Sequence, residues 1–273
     1  RDIQKNGGEE RMKAKKYLTT FRISLRNALY YKKSVLGSII MYSLFVYVFF
    51  LLWSAVYSGR ELSGYSFRQM IWYFCTTEFI AMSMGGGIFY QMGQDIKNGA
   101  IAYQLGRPYS YIWYQFANTM GTVAVRLVMF AVLAGVLGTL LVGAPSFVTL
   151  VSAAFFLLSV VLALIVQFFA LVSIGLTAFF VEENRPFFFI YSKLVLVLGT
   201  FLPIEFFPQW MQNILRYMPF SLITWGPAKM FVDFSYSHAL HTLTALTFWA
   251  AAMMVCAFGV FQRGVKKIHV HGG

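Results

Sequence analysis

Long apolar runs, separated by short polar connections, dominate this chain. A helix rises 1.5 Å per residue and needs about 20 residues to cross a hydrocarbon core about 30 Å thick. Val35–Tyr57 meets that length without a charge, and Met70–Tyr90 meets it with one acid, Glu78. A third run, Tyr114–Val142, contains Arg126. The fourth, Phe147–Val181, is too long for one ordinary span and too short for two spans and a turn. It is expected to be one long, tilted helix, with Gly175 the candidate point for a break. The fifth begins after Pro186 and ends near Phe201, and the last is Leu240–Phe261. The pattern predicts an all-α polytopic membrane protein with six spans and no solenoid repeat.

Ahead of the first run, Leu18, Phe21, Leu25 and Ala28/Leu29 recur every three or four residues. Lys15, Arg22, Arg26 and Lys33 share the opposite face. That spacing predicts an amphipathic helix in the inner headgroup layer. Docking on a soluble partner is an equally open reading. The first 16 residues hold no apolar core of a signal peptide. Met12, followed by Lys-Ala-Lys-Lys, marks residues 1–11 as a candidate extension.

Composition supports lipid as the main solvent. The chain is 59% hydrophobic and 12% charged, whereas soluble domains carry about 25% charged residues. A soluble enzyme is excluded. The net charge of +12 does not indicate nucleic acid, because the basic residues gather at the chain ends and in short loops rather than in one patch. Ten of the 22 precede the first span, ending at Lys32 and Lys33. Arg263, Lys266 and Lys267 follow the last, and the 91–113 connection adds Lys97 and Arg107. The other side offers Arg60, Arg68, Arg216 and Lys229. The positive-inside rule then puts both termini in the cytoplasm, and an even number of spans agrees with six.

The chemistry-bearing motifs are few. No Gly-x-x-x-x-Gly-Lys-Ser/Thr loop occurs, so the chain has no phosphate-cradling P-loop of its own. Gly85-Gly86-Gly87 lacks the strand and lysine of a nucleotide loop and marks a helix break or close packing. No Gly-x-Ser-x-Gly or His-Glu-x-x-His motif is present. His238 and His241, near Asp233, lack a third metal ligand at a suitable spacing, so no metal is expected. Cys75 and Cys256 sit in apolar runs as small hydrophobes. Glu78 and Arg126 each fall near mid-depth by residue count, where a lone charge costs about 3 kcal/mol. They are expected to meet, either as a cavity-facing pair or as a structural pair within the bundle.

Four segments carry a family resemblance. Asp95-Ile-Lys-Asn-Gly-Ala-Ile-Ala-Tyr-Gln-Leu-Gly-Arg-Pro108 resembles the cytoplasmic connection after the second span of ABC-2-type transporter permeases. The match is to the small six-span group called ABC-2 family transporter proteins, with its acid-x-x-x-Gly and Leu-x-Arg-Pro pattern. Leu202-Pro-Ile-Glu-Phe-Phe-Pro-Gln-Trp210, continuing through Met218-Pro-Phe220 to Pro227, is similar to that group's segment before the last span. Phe180-Val-Glu-Glu-Asn is similar to its acidic inner loop. The tail from Gly264 resembles the group's basic, glycine-ending tail, with Ile268 where a tyrosine is usual.

The resemblance implies an ABC-2 (type V exporter-like) half-permease. Its parts would be a cytoplasmic arm over residues 1–33, a six-span domain over 34–262 and a cytoplasmic tail over 263–273. A coupling region at 94–108 would carry Asp95, Gly99, Leu105, Arg107 and Pro108, with Gln94–Leu105 one short helix ended by Arg107-Pro108. A re-entrant extracellular segment at 203–230 would carry Pro203, Phe207, Pro208, Trp210, Pro219, Phe220 and Pro227. Its prolines interrupt any continuous span, Gln209–Met218 makes about three turns, and the pair packs on the fifth and sixth spans. The chain itself would bind no cofactor. ATP and Mg would sit on two copies of a separate ABC ATPase subunit, and a second half-permease, identical or different, would complete the pathway in a prokaryotic plasma membrane. Membrane lipids are the remaining partner expected. The competing reading is an ion- or proton-coupled carrier using Glu78 and Arg126, but the chain lacks paired halves with matching broken helices. A lipid-acting intramembrane enzyme would need more acids and histidines at one depth. Drug, peptide and lipid cargoes all stay open.

Overall fold

A computed structural model describes residues 2–30, 32–57 and 64–271, with side chains for 15–30, 36–57 and 64–267. Arg60, Gly272 and Gly273 lie outside the described residues, as do the side chains of Met12, Lys32, Lys33 and Ile268. The described elements are helical throughout. They are α1 (Asp2–Tyr30), α2 (Lys32–Tyr57), α3 (Phe67–Ser83), α4 (Gly87–Lys97), α5 (Ala100–Leu105), α6 (Tyr111–Val142) and α7 (Leu150–Leu176). After these come α8 (Arg185–Val195), α9 (Gln209–Leu215), α10 (Pro219–Leu222), α11 (Trp225–Val232) and α12 (Tyr236–His271).

Four stretches are long and apolar enough to cross a membrane: Leu36–Tyr57, Tyr111–Val142, Leu150–Phe179 and Tyr236–Lys267. The segments expected as the second and fifth crossings are shorter. Helix α3 has 17 residues, about 25 Å at 1.5 Å per residue. Helix α8 has 11 residues and runs on as a six-residue π-helix, Leu196–Phe201.

Protein, not lipid, surrounds α3. Every residue from Met70 to Ile80 is buried, with α2, α6 and α11 packed around the helix. That environment explains how Thr76, Thr77, Glu78 and Ser83 fit an otherwise apolar segment. A reciprocal cap starts the helix: the Gln69 N–H donates to Ser66 Oγ (3.3 Å) and the Ser66 N–H to Gln69 Oε1 (3.0 Å). The glycine run ends it, and the Phe188 ring occupies the space a Cβ at Gly86 would need. Phe188 also stacks on Phe89 at 4.7 Å, which locks the start of α8 against α4.

Helix α7 is a single helix, as its length predicts, but Gly175 does not break it. A Cβ at Gly175 would lie 3.2 Å from Met92 Cβ and 3.3 Å from the Phe89 carbonyl, so the glycine permits close approach of α4. Helix α12 lies antiparallel along α7, with Phe155 against Tyr236 at one end and Phe179 against Gly264 at the other. It continues through the segment expected as a separate tail, ending at His271.

Helix α1 packs along α6 as well as carrying its basic face. Ser24 Oγ donates to the Asn118 carbonyl and lies 3.0 Å from Thr122 Oγ1, while Gly121 gives α1 room at Phe21 and Leu25. Leu18 and Leu29, on the apolar face read from the sequence, stay 49% and 59% exposed. The outer faces of α2, α6 and α12 present Leu44, Val48, Val132, Leu140, Phe248 and Val255. An apolar surface of that extent belongs against lipid or another subunit.

Candidate functional site

The end of the bundle where α4 turns into α6 carries the first candidate region. The continuous helix expected over Gln94–Leu105 is divided at Gly99, whose φ of 72° is left-handed and suits glycine. Helix α4 ends by donation from the Asn98 N–H to the Gln94 carbonyl (2.9 Å), and α5 leaves at a new angle. Ile101 seats α5 in the core at 1% exposure. Leu105 packs against the core, and Gly106, Arg107 and Pro108 close the turn into α6. The Tyr109 hydroxyl donates to Gln104 Oε1 (2.7 Å), and Lys16 Nζ donates to the Pro108 carbonyl (3.4 Å). The α1 arm therefore braces the same turn.

At the tip, Tyr103 is 69% exposed and the Arg107 guanidinium stands 4.6 Å above its ring. Hydrogen bonding with the Tyr103 and Tyr109 hydroxyls raises the Arg107 pKa further above its ordinary value. Asp95 is not part of this tip. Its carboxylate accepts from the Tyr111 hydroxyl at 2.7 Å and ties α4 to the start of α6. The acidic inner loop docks beside α4 through Asn184, which is buried and donates to the Gly175 carbonyl (3.2 Å). Glu183 lies 3.7 Å from both Lys97 and Arg185. Donation from the Arg185 N–H, together with these cations, holds its carboxyl below the usual range.

The mid-bundle charges do not meet. Glu78 is 5% exposed on α3, within electrostatic reach of the Tyr42 hydroxyl, and makes no ion pair among the described residues. Arg126 instead lies beside Gly85, seven residues further along the chain toward the inner side; a Cβ there would stand 3.6 Å from its Nη1. The expected Glu78–Arg126 pair is thus corrected: no ion pair joins them among the described residues, and Arg126 lies instead beyond the end of α3. His238 and His241 turn to protein neighbours. The first lies 3.3 Å from the Gly226 carbonyl and from Thr242 Oγ1, and the second packs edge-on to Tyr217.

The opposite end of the bundle is a stack of short helices. Pro203 and Pro208 immediately precede a 3-10 turn (Ile204–Phe206) and α9, and Pro219 is the first residue of α10. Pro227 departs from the expected role: it lies in the first turn of α11, where its missing N–H has no helical partner to lose. Helix α9 ends at Leu215, a turn earlier than the sequence suggests. Trp210 is 66% exposed, whereas residues Ser221–Ala228 are all buried. Phe207 and Phe220 pack on the core. Helix α10 rests on the π-helical end of α8 and on α12, as expected, but α11 packs chiefly on α3 and α7.

The polar cluster that fixes this stack has no signature in the sequence pattern. Glu205 accepts from Lys229 Nζ (2.7 Å) and Trp225 Nε1 (3.1 Å). Lys229 also donates to the Tyr65 hydroxyl (3.3 Å) and pairs with Asp233 (3.3 Å). Burial alone would raise the Glu205 pKa, but the Lys229 ammonium outweighs it and holds the carboxyl below its ordinary value. Trp225, Lys229 and Asp233 follow one helical period along and just past α11, but Glu205 and Tyr65 reach them from segments distant in sequence. Below them, Tyr73 and Thr77 of α3 donate to the Gly199 and Thr200 carbonyls (2.7 and 3.0 Å), which the π-helix leaves available.

Comparison with known families gives one match: residues 38–272 fit the family described as ABC-2 family transporter protein. No curated protein matches the chain.

Proposed function

Since the chain belongs to the ABC-2 family of transporter proteins, a permease component of an ABC transporter, we propose that it forms half of an export pathway driven by a separate ATPase. The observation that carries this reading is the α4–α5 corner. A helix pair seated in the core by Ile101 ends in an exposed Tyr103–Arg107 tip, and the α1 arm and the acidic inner loop buttress it. A rigid corner of that kind suits transmission of ATPase closure into α4, α6 and α7. Alternating access then proceeds as movement of packed helices.

Six crossings complete this reading, with α3 leading into α4 as the second and α8 with its π-helical continuation as the fifth. Both fall short of a lipid-spanning length; protein encloses α3, whereas α8 buries Tyr191 and Val195 and leaves Phe187, Phe189 and Ile190 exposed for lipid or a second half-permease. Both termini lie in the cytoplasm of a prokaryotic cell. The apolar outer faces of α2 and α6 serve the contact with a second half-permease, and two ATPase copies bind the paired inner corners. The short helices 203–230 cap the outer end and partly re-enter the membrane.

The test is transport in inside-out vesicles carrying the chain with its ATPase, using a panel of amphipathic fluorescent dyes. Uptake is expected only with hydrolysable ATP, and the purified chain alone hydrolyses none. Uptake that persists with a non-hydrolysable analogue and follows a proton gradient would overturn the proposal.

A further inference from the structure

A cavity of about 180 Å³ opens between the start of α4 and the middle of α6. Gln91, Asn118, Thr119, Thr122 and Arg126 supply its polar lining, and no Asp or Glu reaches it. Arg126 is central to the argument. It stands 15 residues from the inner end of a 32-residue apolar helix, yet forms no ion pair among the described residues. Charges inside membrane spans are costly and are found paired or facing an aqueous cavity. The only nearby acid read from the sequence, Glu78, lies elsewhere. The side chains of Gln91, Asn118 and Thr119 make no hydrogen bond among the described residues, so their donors are available to the cavity.

The geometry adds to the guanidinium. Gly85 and Gly87 line the cavity without side chains, so a ligand can reach the backbone there. Helix α4 begins at this point with no side-chain cap on its first N–H groups, and its positive end reinforces Arg126. A guanidinium offers paired donors in a planar fork, which fits an oxyanion better than a halide or a neutral head. Amide and hydroxyl donors around it complete the coordination.

We propose that this cavity binds a phosphate-class oxyanion, with Arg126 as the principal contact and Gln91, Asn118 and Thr119 as orienting donors. The oxyanion is either the headgroup of an anionic amphiphile or a free phosphate. Binding at this place does not depend on the export reading and needs no nucleotide.

The experiment uses the full chain, purified in a neutral detergent, and follows its unfolding midpoint against dihexanoylphosphatidylglycerol and against inorganic phosphate at matched ionic strength. A saturable rise with at least one probe is expected. A rise with the phospholipid alone identifies a headgroup site, and a rise with inorganic phosphate identifies a free-anion site. Arg126→Gln should raise the apparent Kd at least tenfold. Arg126→Lys should fall between, because charge survives and the fork does not. Gln91→Leu alters a side chain at the rim and should fold normally while raising Kd severalfold. It keeps the test intact where Arg126→Gln fails to fold. No saturable rise with either probe, or equal affinity in wild type, Arg126→Gln and Gln91→Leu, would overturn the site.

Discussion

Lys229 meets the Glu205 carboxylate at 2.7 Å, joining two short elements that stand 24 positions apart at the outer end of the bundle. Both side chains are less than one-fifth exposed, and Trp225 and Asp233 complete the cluster. The pair fixes α11, whose other side is buried against α3 and α7.

Breaking this pair from one side leaves a charge in a poorly hydrated place, which costs about 3 kcal/mol. Lys229→Gln and Glu205→Gln should each lower the thermal midpoint, and the double variant should cost less than the sum. The pH dependence has a definite sign. The folded Glu205 pKa lies below its unfolded value, so its contribution is complete above the ordinary Glu value of about 4.3 and is lost as pH falls through the folded one. Wild type should therefore lose more stability between pH 6 and pH 3 than Glu205→Gln. Parallel curves for the two proteins would show that the pair contributes nothing.

Arg107 behaves differently because it is exposed and stacks on Tyr103 rather than supporting the core. Arg107→Ala should leave the unfolding midpoint nearly unchanged while lowering transport per ATP hydrolysed. Ile101→Asp should do the reverse in order of events, unseating α5 and lowering the unfolding midpoint first. Unaltered coupling in Arg107→Ala vesicles would assign that arginine to anchoring the turn.

The apolar runs made most of this architecture legible, since length against bilayer thickness locates α2, α6, α7 and α12 directly. The enclosed helices were harder to read. In α3, Thr76, Thr77 and Glu78 break the apolar run, and only the surrounding protein explains why they are tolerated there. Gly99 and Gly175 show the same limit. Gly99 lies in a segment whose pattern predicts one continuous helix, yet it turns the chain at a positive φ, and Gly175, the expected break, instead admits Met92 and Phe89. Residue counting from opposite ends of the two spans gave Glu78 and Arg126 a common depth, whereas Arg126 lies beside Gly85, beyond the end of α3. The Glu205–Lys229–Tyr65 cluster carried no signal, because its members come together only when three segments distant in sequence stack.

The α1–α6 contact gives a prediction about the arm. A Cβ at Gly121 would stand 2.5 Å from the Phe21 carbonyl and 2.8 Å from Ser24 Cβ, and the Phe21 carbonyl belongs to a helix backbone that cannot yield locally. Gly121→Leu should therefore displace α1. Ser24→Cys with Thr122→Cys, placed in a Cys256→Ser background, should crosslink efficiently when Gly121 is kept, because the two hydroxyls lie 3.0 Å apart. Efficient crosslinking in the Gly121→Leu protein would show that α1 accommodates the larger side chain.

Accessibility of the outer stack tests its packing and its side of the membrane together. Asn213, Arg216 and Tyr217 lie on the exposed side of α9 and its end, while Ser221, Thr224 and Ala228 are buried. The difference follows from how each segment satisfies its polar groups. Backbone at membrane depth survives only when protein or a water-filled cavity meets its hydrogen bonds, and Ser221 does this by donating back to the Leu215 and Met218 carbonyls. Cysteines placed singly at Asn213 and Arg216 should react within minutes with a membrane-impermeant maleimide added to intact cells. Those at Ser221, Thr224 and Ala228 should stay unlabelled until the protein is unfolded. Cys75 is buried, and replacing Cys256 removes the exposed background thiol. Uniform reaction across all five positions would replace the packed stack with an ordinary loop. Reaction at Asn213 and Arg216 only after the membrane is permeabilised would instead reverse the orientation, placing the α4–α5 corner outside and ending its candidacy as an ATPase contact.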